Sequence, residues 1–114
     1  MPNDSQVLDR VFHCLANPTR RTVVERLSQR SASMTELAEF SDMALPSFLQ
    51  HLQVMEDAGL ITSTKTGRVR SFEISPPKIL LADNWLDIQR KHWTTKHDQL
   101  DDLLFNLTKK PSHE

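Results

Sequence analysis

Cysteine and glycine are scarce in this chain, and it has no long apolar run. The 114 residues include one cysteine, Cys14, and two glycines, Gly59 and Gly67. A single cysteine excludes an intramolecular disulfide and a cysteine-rich zinc site. Two isolated glycines leave no room for a P-loop or a dinucleotide-binding fingerprint. No run of 18 apolar residues occurs, which argues against a membrane-spanning helix. The composition therefore argues against most nucleotide-using enzymes.

The length and the first residues set further expectations. A chain of 114 residues with 38% hydrophobic and 25% charged residues is typical of one globular domain with one modest core. We expect this single domain over residues 1–108, followed by a frayed tail at 109–114. Residues 1–10 lack the basic and then apolar stretch of a signal peptide, so we expect a cytoplasmic protein.

The net charge of −1 conceals two short basic patches. Residues 18–31 contain four arginines and one glutamate, and residues 61–75 contain three basic residues and one glutamate, whereas residues 32–60 contain neither lysine nor arginine. Binding to nucleic acid depends on a local basic surface more than on a basic total. Ordinary solvated faces are the alternative explanation of both patches.

Helical spacing of apolar residues dominates the first sixty residues. Asn17 and Pro18 form a cap followed by a first-turn proline, which predicts the start of a helix. Ser33 and Glu36 have the spacing of a capping box, and Gly59 stands where a helix-ending glycine is common. The predicted helices lie over about 5–15, 18–29, 34–40 and 45–58.

From residue 60 the pattern alternates and β-branched residues are frequent. Residues 60–65 and 69–75 flank Thr66-Gly67, which predicts a β-hairpin with a short turn. Residues from about 78 to 108 return to a helical pattern, with a break expected near 83–84. Two short helices joined by a tight turn and followed by a hairpin predict a mainly α fold, a winged helix-turn-helix with a β-hairpin wing and a long C-terminal helix.

The fourth predicted helix has two different faces. Its apolar residues at helical spacing predict a buried side. The opposite side is polar but uncharged, and amide and hydroxyl groups suit the edges of DNA bases, where glutamine pairs bidentately with adenine. An ordinary amphipathic helix is the alternative. The apolar set is Leu45, Phe48, Leu49, Leu52 and Met55, and the candidate base-contacting set is Ser47, Gln50, His51 and Gln53.

The predicted hairpin carries basic residues near its tip. Phe72 and Ile74 share a face that reaches the core, whereas Lys65, Arg68 and Arg70 are candidates for phosphate or minor-groove contact. A solubilised sheet edge is the alternative. At the start of the second helix, Arg20 and Arg21 are candidate contacts to flanking phosphates, or partners in an internal ion pair.

Apolar residues recur every seven positions towards the C-terminus, at Ile79, Leu86, Trp93, Leu100 and Leu107. Such a stripe packs on a second helix, and tryptophan is enriched at protein interfaces. We therefore expect a homodimer rather than a helix that only closes a monomeric core. The candidate interface residues are Leu8, Phe12, Leu86, Trp93, Leu100, Leu103 and Leu107.

Several motifs together resemble the ArsR/SmtB family of bacterial winged-helix transcriptional regulators. They are L-A-N-P-T-R-R, E-L-A, L-P-S-F-L-Q-H-L, L-x-x-M-E-x-A-G-L-I and G-R, and the likeness covers about residues 12–75. The resemblance implies a homodimeric repressor that binds operator DNA and releases it when an inducer binds, with the first and last helices forming the dimer. Three positions depart from the usual family pattern. Ala44 replaces a serine cap, Leu49 replaces a serine, and Gln50 replaces a lysine or arginine.

The sequence predicts no metal and no cofactor. The Cys-x-Cys pattern of some family members is absent from the third predicted helix, and His92 and His97 lie about 140° apart around a helix. An intersubunit site that joins Asp83 or Asp87 to His97 of a second copy, and a sensing role for the thiol of Cys14, remain as alternatives.

The sequence thus favours a non-enzymatic regulator that binds a pseudopalindromic double-stranded operator through residues 45–58 and the wing at 61–74. The inducer, if any, and the operator sequence are not predicted. One rival is a metal- or thiol-responsive sensor of the same fold, and another is a winged helix used only for protein contacts. An enzyme built on His51, Glu36 and Glu39 would lack a nucleophile.

Overall fold

The computed structural model describes residues 4–94 and 98–109, which form helices and one small sheet. This mainly α architecture with a hairpin wing confirms the predicted winged helix-turn-helix. Among the described residues, no helix is both long and apolar enough to cross a membrane. The elements in chain order are α1 (Asp4–Leu15), α2 (Pro18–Leu27), β1 (Ala32–Ser33), α3 (Met34–Ala38), α4 (Leu45–Asp57), β2 (Ile61–Thr66), β3 (Val69–Ile74), α5 (Pro76–Thr94) and α6 (Asp98–Lys109).

The starts of α2 and α3 are capped as the sequence predicts, whereas the start of α4 is not. The Asn17 side chain accepts a hydrogen bond from the Arg20 backbone N–H at 3.1 Å. Ser33 and Glu36 exchange both bonds of the capping box, at 3.1 and 2.8 Å. Ala44 takes the cap position of α4 and offers no side-chain hydrogen bond. Helix α4 therefore begins without the side-chain acceptor that stabilises α2 and α3.

The sheet has three antiparallel strands in the order β1-β3-β2. Strands β2 and β3 pair from Ile61 opposite Ile74 to Thr66 opposite Val69. Gly67 makes the turn with a φ of 63°, a conformation that suits glycine. Strand β1 was not predicted from the sequence, because two residues cannot show an alternating pattern. It joins the segment before α3 to the wing, the hairpin formed by β2 and β3.

The core lies between the helices and the inner face of the wing. On α4 only a narrow stripe at positions i, i+4 and i+7 is buried. Leu45 and Leu49 are 52% and 38% exposed, so the prediction that they join the buried face is wrong. Leu49 lies about 100° around the helix from Phe48, which turns its side chain away from the core. The largest fully buried side chains are Phe48, Phe72, Leu37, Met55, Leu60, Ile61, Val11 and Cys14.

The C-terminal part differs from the predicted pattern. Helix α5 continues unbroken through Asp83 and Asn84, so the predicted break there is wrong. These poor helix formers cost only a few tenths of a kcal/mol each at exposed positions of a long helix. The chain packs as one compact unit up to Ala82 and a second unit from Asp83 onward. A single domain over residues 1–108 stays a prediction, and the tail beyond residue 109 lies outside the described residues.

Candidate nucleic-acid interface

The outward side of α4 carries the uncharged polar residues that the sequence indicated. Ser47, Gln50 and Gln53 are all exposed. The Gln53 amide donates to the Asp57 carboxylate at 2.9 Å, one helical turn further on. Ser47 and Gln50 belong to the first half of the helix, which is the part that enters the major groove in helix-turn-helix proteins.

The exposed Leu45 and Leu49 change the chemistry expected for this surface. Both lie one turn apart on α4, and both present apolar groups to the outside. An apolar side chain beside hydrogen-bonding groups matches the C5-methyl of thymine, the apolar feature of the major groove. The surface of α4 therefore combines amide, hydroxyl and methyl-contacting groups without formal charge in its first half.

His51 is half-buried, and its ring contacts an arginine side chain. Its Nδ1 atom lies 2.9 Å from an Arg20 guanidinium nitrogen. Desolvation, with the nearby Arg20 charge, lowers the pKa of His51 below its ordinary value. The ring is therefore neutral around pH 7, and it does not add a positive charge to this surface.

Arg20, which the sequence offered as a phosphate contact or as an internal partner, is buried. Only 8% of the residue is exposed. Its guanidinium donates to the backbone carbonyls of Cys14 at 2.8 Å and His13 at 3.2 Å, at the end of α1. Two backbone carbonyls and the His51 ring, rather than a carboxylate, thus accept the hydrogen bonds of the Arg20 guanidinium. Arg21 also donates to a carbonyl, that of Leu15 at 2.8 Å, but its side chain stays exposed.

The wing carries three exposed cations, one of which forms an ion pair with α4. Lys65 and Arg68 are exposed near the turn. Arg70, opposite Lys65 across the strands, binds the Glu56 carboxylate of α4 at 3.0 Å and stacks over Phe72 at 5.2 Å. Ser63 donates to the same carboxylate at 2.7 Å. Arg70 therefore connects the wing to α4, a contact between residues far apart in sequence that no local pattern could reveal.

An open cleft of about 620 Å³ separates the wing from the start of α3. Basic side chains of the wing line one side, and hydroxyl-bearing residues line the other. Such a combination of cations and hydroxyl donors is common where proteins contact phosphate oxygens. The lining residues are Ser33, Met34, Thr35, Ser63, Lys65, Arg68, Val69 and Arg70.

The sensor alternatives gain no support from the described residues. Within residues 4–94 and 98–109, no group of three histidine, cysteine, aspartate or glutamate side chains is placed to hold a metal ion. His97 lies outside the described residues. Cys14 is fully buried, and desolvation raises the pKa of its thiol despite the neighbouring Arg20. A buried, protonated thiol reacts slowly with oxidants.

The residues proposed for a dimer interface lie mostly on exposed apolar surface. Leu8 is half-buried against the core of the first unit. The side chain of Leu100 is not described. The other candidates are exposed, namely Phe12 at 38%, Leu86 at 43%, Trp93 at 52%, Leu103 at 53% and Leu107 at 59%.

These features define a winged helix-turn-helix module with a DNA-compatible helix and a basic wing. Residues 15–64 match the family described as a helix-turn-helix domain. The chain is 33% identical over 86 residues to the HTH-type transcriptional regulator Rv2034 of Mycobacterium tuberculosis. This match covers 75% of this chain and 78% of the relative. It is 23% identical over 79 residues to the transcriptional repressor SdpR of Bacillus subtilis, at 69% and 88% coverage.

Solved structures agree with this assignment. An ArsR family transcriptional regulator matches with a TM-score of 0.76 and 42% identity over 82% of this chain and 96% of the other. A homodimeric winged helix-turn-helix DNA-binding domain from Mycobacterium bovis shares the fold at a TM-score of 0.59 and 22% identity, over 78% and 83% of the two chains. The chain belongs to the ArsR family of winged helix-turn-helix transcriptional regulators.

Proposed function

We propose that this regulator is a homodimeric repressor that binds a pseudopalindromic operator, with α4 in the major groove and the wing on the backbone. One observation carries the proposal. The protein exposes an uncharged polar face on α4 and has, at the wing, a cleft that is lined by basic side chains. Base readout and phosphate neutralisation require these two surfaces, respectively.

The proposed contacts follow from exposure and chemistry. Ser47, Gln50 and Gln53 would read base edges, and His51 would add a hydrogen bond. Lys65 and Arg68 would bind phosphate oxygens, and Arg70 would support the wing through its ion pair with Glu56. Arg21 stays a candidate for a flanking phosphate, whereas Arg20 is withdrawn from the set because it is buried.

The dimer is supported by the exposed apolar side chains of α5 and α6. Leucine and tryptophan side chains that are half-exposed in a single chain gain free energy when a second copy covers them. The related fold from Mycobacterium bovis is described as homodimeric, and SdpR is described as a repressor. A twofold dimer places two α4 helices on successive major grooves, about 34 Å apart, and thus favours an inverted repeat.

Selection of bound fragments from genomic DNA tests the proposal. We expect recovery of an inverted repeat with half-sites centred roughly 10 bp apart. Two chains should bind each duplex, and the affinity should fall steeply with salt. Enrichment of no sequence, or affinity that is insensitive to salt, would contradict a DNA-binding role and favour a module for protein contacts.

A further inference from the structure

Arg20 is a buried cation that joins three helices. It belongs to α2, its Nε and one terminal nitrogen donate to carbonyls at the end of α1, and its other terminal nitrogen meets His51 of α4. A buried guanidinium is costly unless its N–H groups are used, and here each nitrogen has an acceptor. The arrangement therefore fixes both the guanidinium and the imidazole that it touches.

The direction of the contact between Arg20 and His51 follows from chemistry alone. A guanidinium has N–H donors and no acceptor. The Nδ1 atom of His51, 2.9 Å away, must therefore accept the hydrogen bond and carry no proton. In a neutral imidazole the proton then resides on Nε2. The contact selects one of the two tautomers of His51.

We propose that Arg20 is a positioning residue that holds His51 as the Nε2–H tautomer, so that α4 presents a fixed, neutral hydrogen-bond donor to DNA. This inference rests on the proposed function of α4. Acceptors that fit such a donor are phosphate oxygens and the purine N7, guanine O6 and thymine O4 atoms of the major groove. Because the donor is neutral, it adds to the affinity without adding to the salt dependence.

The charges around the imidazole keep it neutral. Arg20 of α2 is the cation that faces His51, and the thiol of Cys14 on α1 also interacts with Arg20. Burial keeps that thiol protonated, so it does not neutralise the guanidinium. A proton on Nδ1 would break the hydrogen bond and place two cations in contact. The positive charge of Arg20 thus opposes protonation of His51.

Nitrogen-15 NMR of the histidine side chains in the DNA-free full chain tests the tautomer directly. At pH 7 we expect His51 to carry its proton on Nε2, with Nδ1 unprotonated, and to stay neutral at a lower pH than an exposed histidine. In Arg20→Gln the positive charge is lost, so the pKa of His51 should rise and the two tautomers should mix. A proton on Nδ1 of the wild-type imidazole at pH 7 would overturn the proposal.

Coupling between the two residues separates positioning from a purely structural role. Arg20→Gln should weaken binding to the selected duplex several-fold, and the same change should have less than a twofold effect in a His51→Phe background, which has no side-chain donor or acceptor at this position. Equal losses in both backgrounds would show that Arg20 does not act through His51 and would overturn the proposal. Thermal unfolding followed by circular dichroism checks that each variant is folded.

His51→Phe alone, which keeps a ring but removes the donor, covers the case in which Arg20→Gln fails to fold. We then expect weaker binding to the selected duplex at an unchanged salt slope, and unchanged binding would overturn the proposed donor. Failure of the proposed DNA-binding function would give a different result from failure of this inference. The wild type would bind no duplex preferentially, while the NMR spectrum would still show the Nε2–H tautomer.

Discussion

The outward face of α4 and the tip of the wing differ in charge. The first half of α4 exposes Ser47, Gln50 and two leucines and carries no formal charge. The wing exposes Lys65 and Arg68 on both sides of its turn. Base edges offer hydrogen-bond and methyl patterns, whereas the backbone offers negative charge. We therefore propose that α4 selects a sequence and that the wing supplies affinity.

Each region also contacts a cation that is engaged within the protein. Arg20 is buried beneath His51, and Arg70 is bound to Glu56. In both cases a cation that the sequence offered as a DNA contact is bound by a neighbouring group in the structure. We therefore expect base recognition to depend on the α4 surface and phosphate binding to depend on Lys65 and Arg68.

Removal of both exposed wing cations should have the largest effect. For Lys65→Ala/Arg68→Ala we expect affinity for selected and scrambled duplexes to fall together, on the order of 100-fold at low salt. The slope of log affinity against log salt should decrease by about 2. Fluorescence anisotropy over a salt series measures both. Arg10→Ala/Lys91→Ala removes the same charge from α1 and α5, and an equal loss there would show that net charge alone matters.

Gln50→Ala should act on sequence preference. We expect a loss of about 1–3 kcal/mol at one base pair of the operator, with an unchanged salt slope. Competition with a set of single-base-pair variants of the selected duplex identifies that position. Thr62→Ala, at an exposed position of the wing, is a matched polar control. The assignment fails if Gln50→Ala weakens every duplex equally.

Ala44→Ser should stabilise the recognition helix without changing what it reads. A serine at this cap position would accept a backbone N–H at the start of α4, which raises the free energy of unfolding by about 1 kcal/mol. Urea denaturation measures this gain. Ser33→Ala, which removes the cap of α3, should lower stability by a similar amount. A stability unchanged by Ala44→Ser would contradict the cap position that the structure assigns.

Leu49 should contribute through thymine methyl groups. Replacement of operator thymines by deoxyuridine removes only the methyl, and contact with one methyl is worth about 0.8 kcal/mol. We expect the wild type to lose roughly fourfold in affinity at one position and Leu49→Ala to lose nothing further there. If both proteins respond equally to deoxyuridine at every position, Leu49 does not contact a methyl.

Glu56→Gln should produce the smallest change. The ion pair with Arg70 is partly exposed, so its loss costs about 0.5 kcal/mol or less in stability. Release of Arg70 should steepen the salt dependence of DNA binding slightly. Glu73→Gln, on the exposed face of β3, changes the net charge equally without touching Arg70. Identical salt slopes for the two variants would show that Arg70 is not released.

Local patterns predicted most of the fold, and long-range contacts limited the prediction of the site. Helical spacing, the caps at Asn17 and Ser33 and the turn at Gly67 are properties of neighbouring residues, and the structure confirms them. Strand β1 is too short to show a pattern.

The contact of Arg20 with His51 spans 31 positions, and that of Arg70 with Glu56 spans 14, so sequence spacing carries no signal for either. Leu45 and Leu49 fit a helical stripe, but only the packing around Phe48 decides which side of that stripe is buried. This is why sequence reasoning placed polar residues correctly on α4 and misassigned its apolar edge.

The ratio of affinities for the selected and the scrambled duplex tests the division between α4 and the wing most directly. We predict that Gln50→Ala moves this ratio towards one, whereas Lys65→Ala/Arg68→Ala lowers both affinities and leaves the ratio unchanged. A ratio that changes equally in the two proteins would contradict the account.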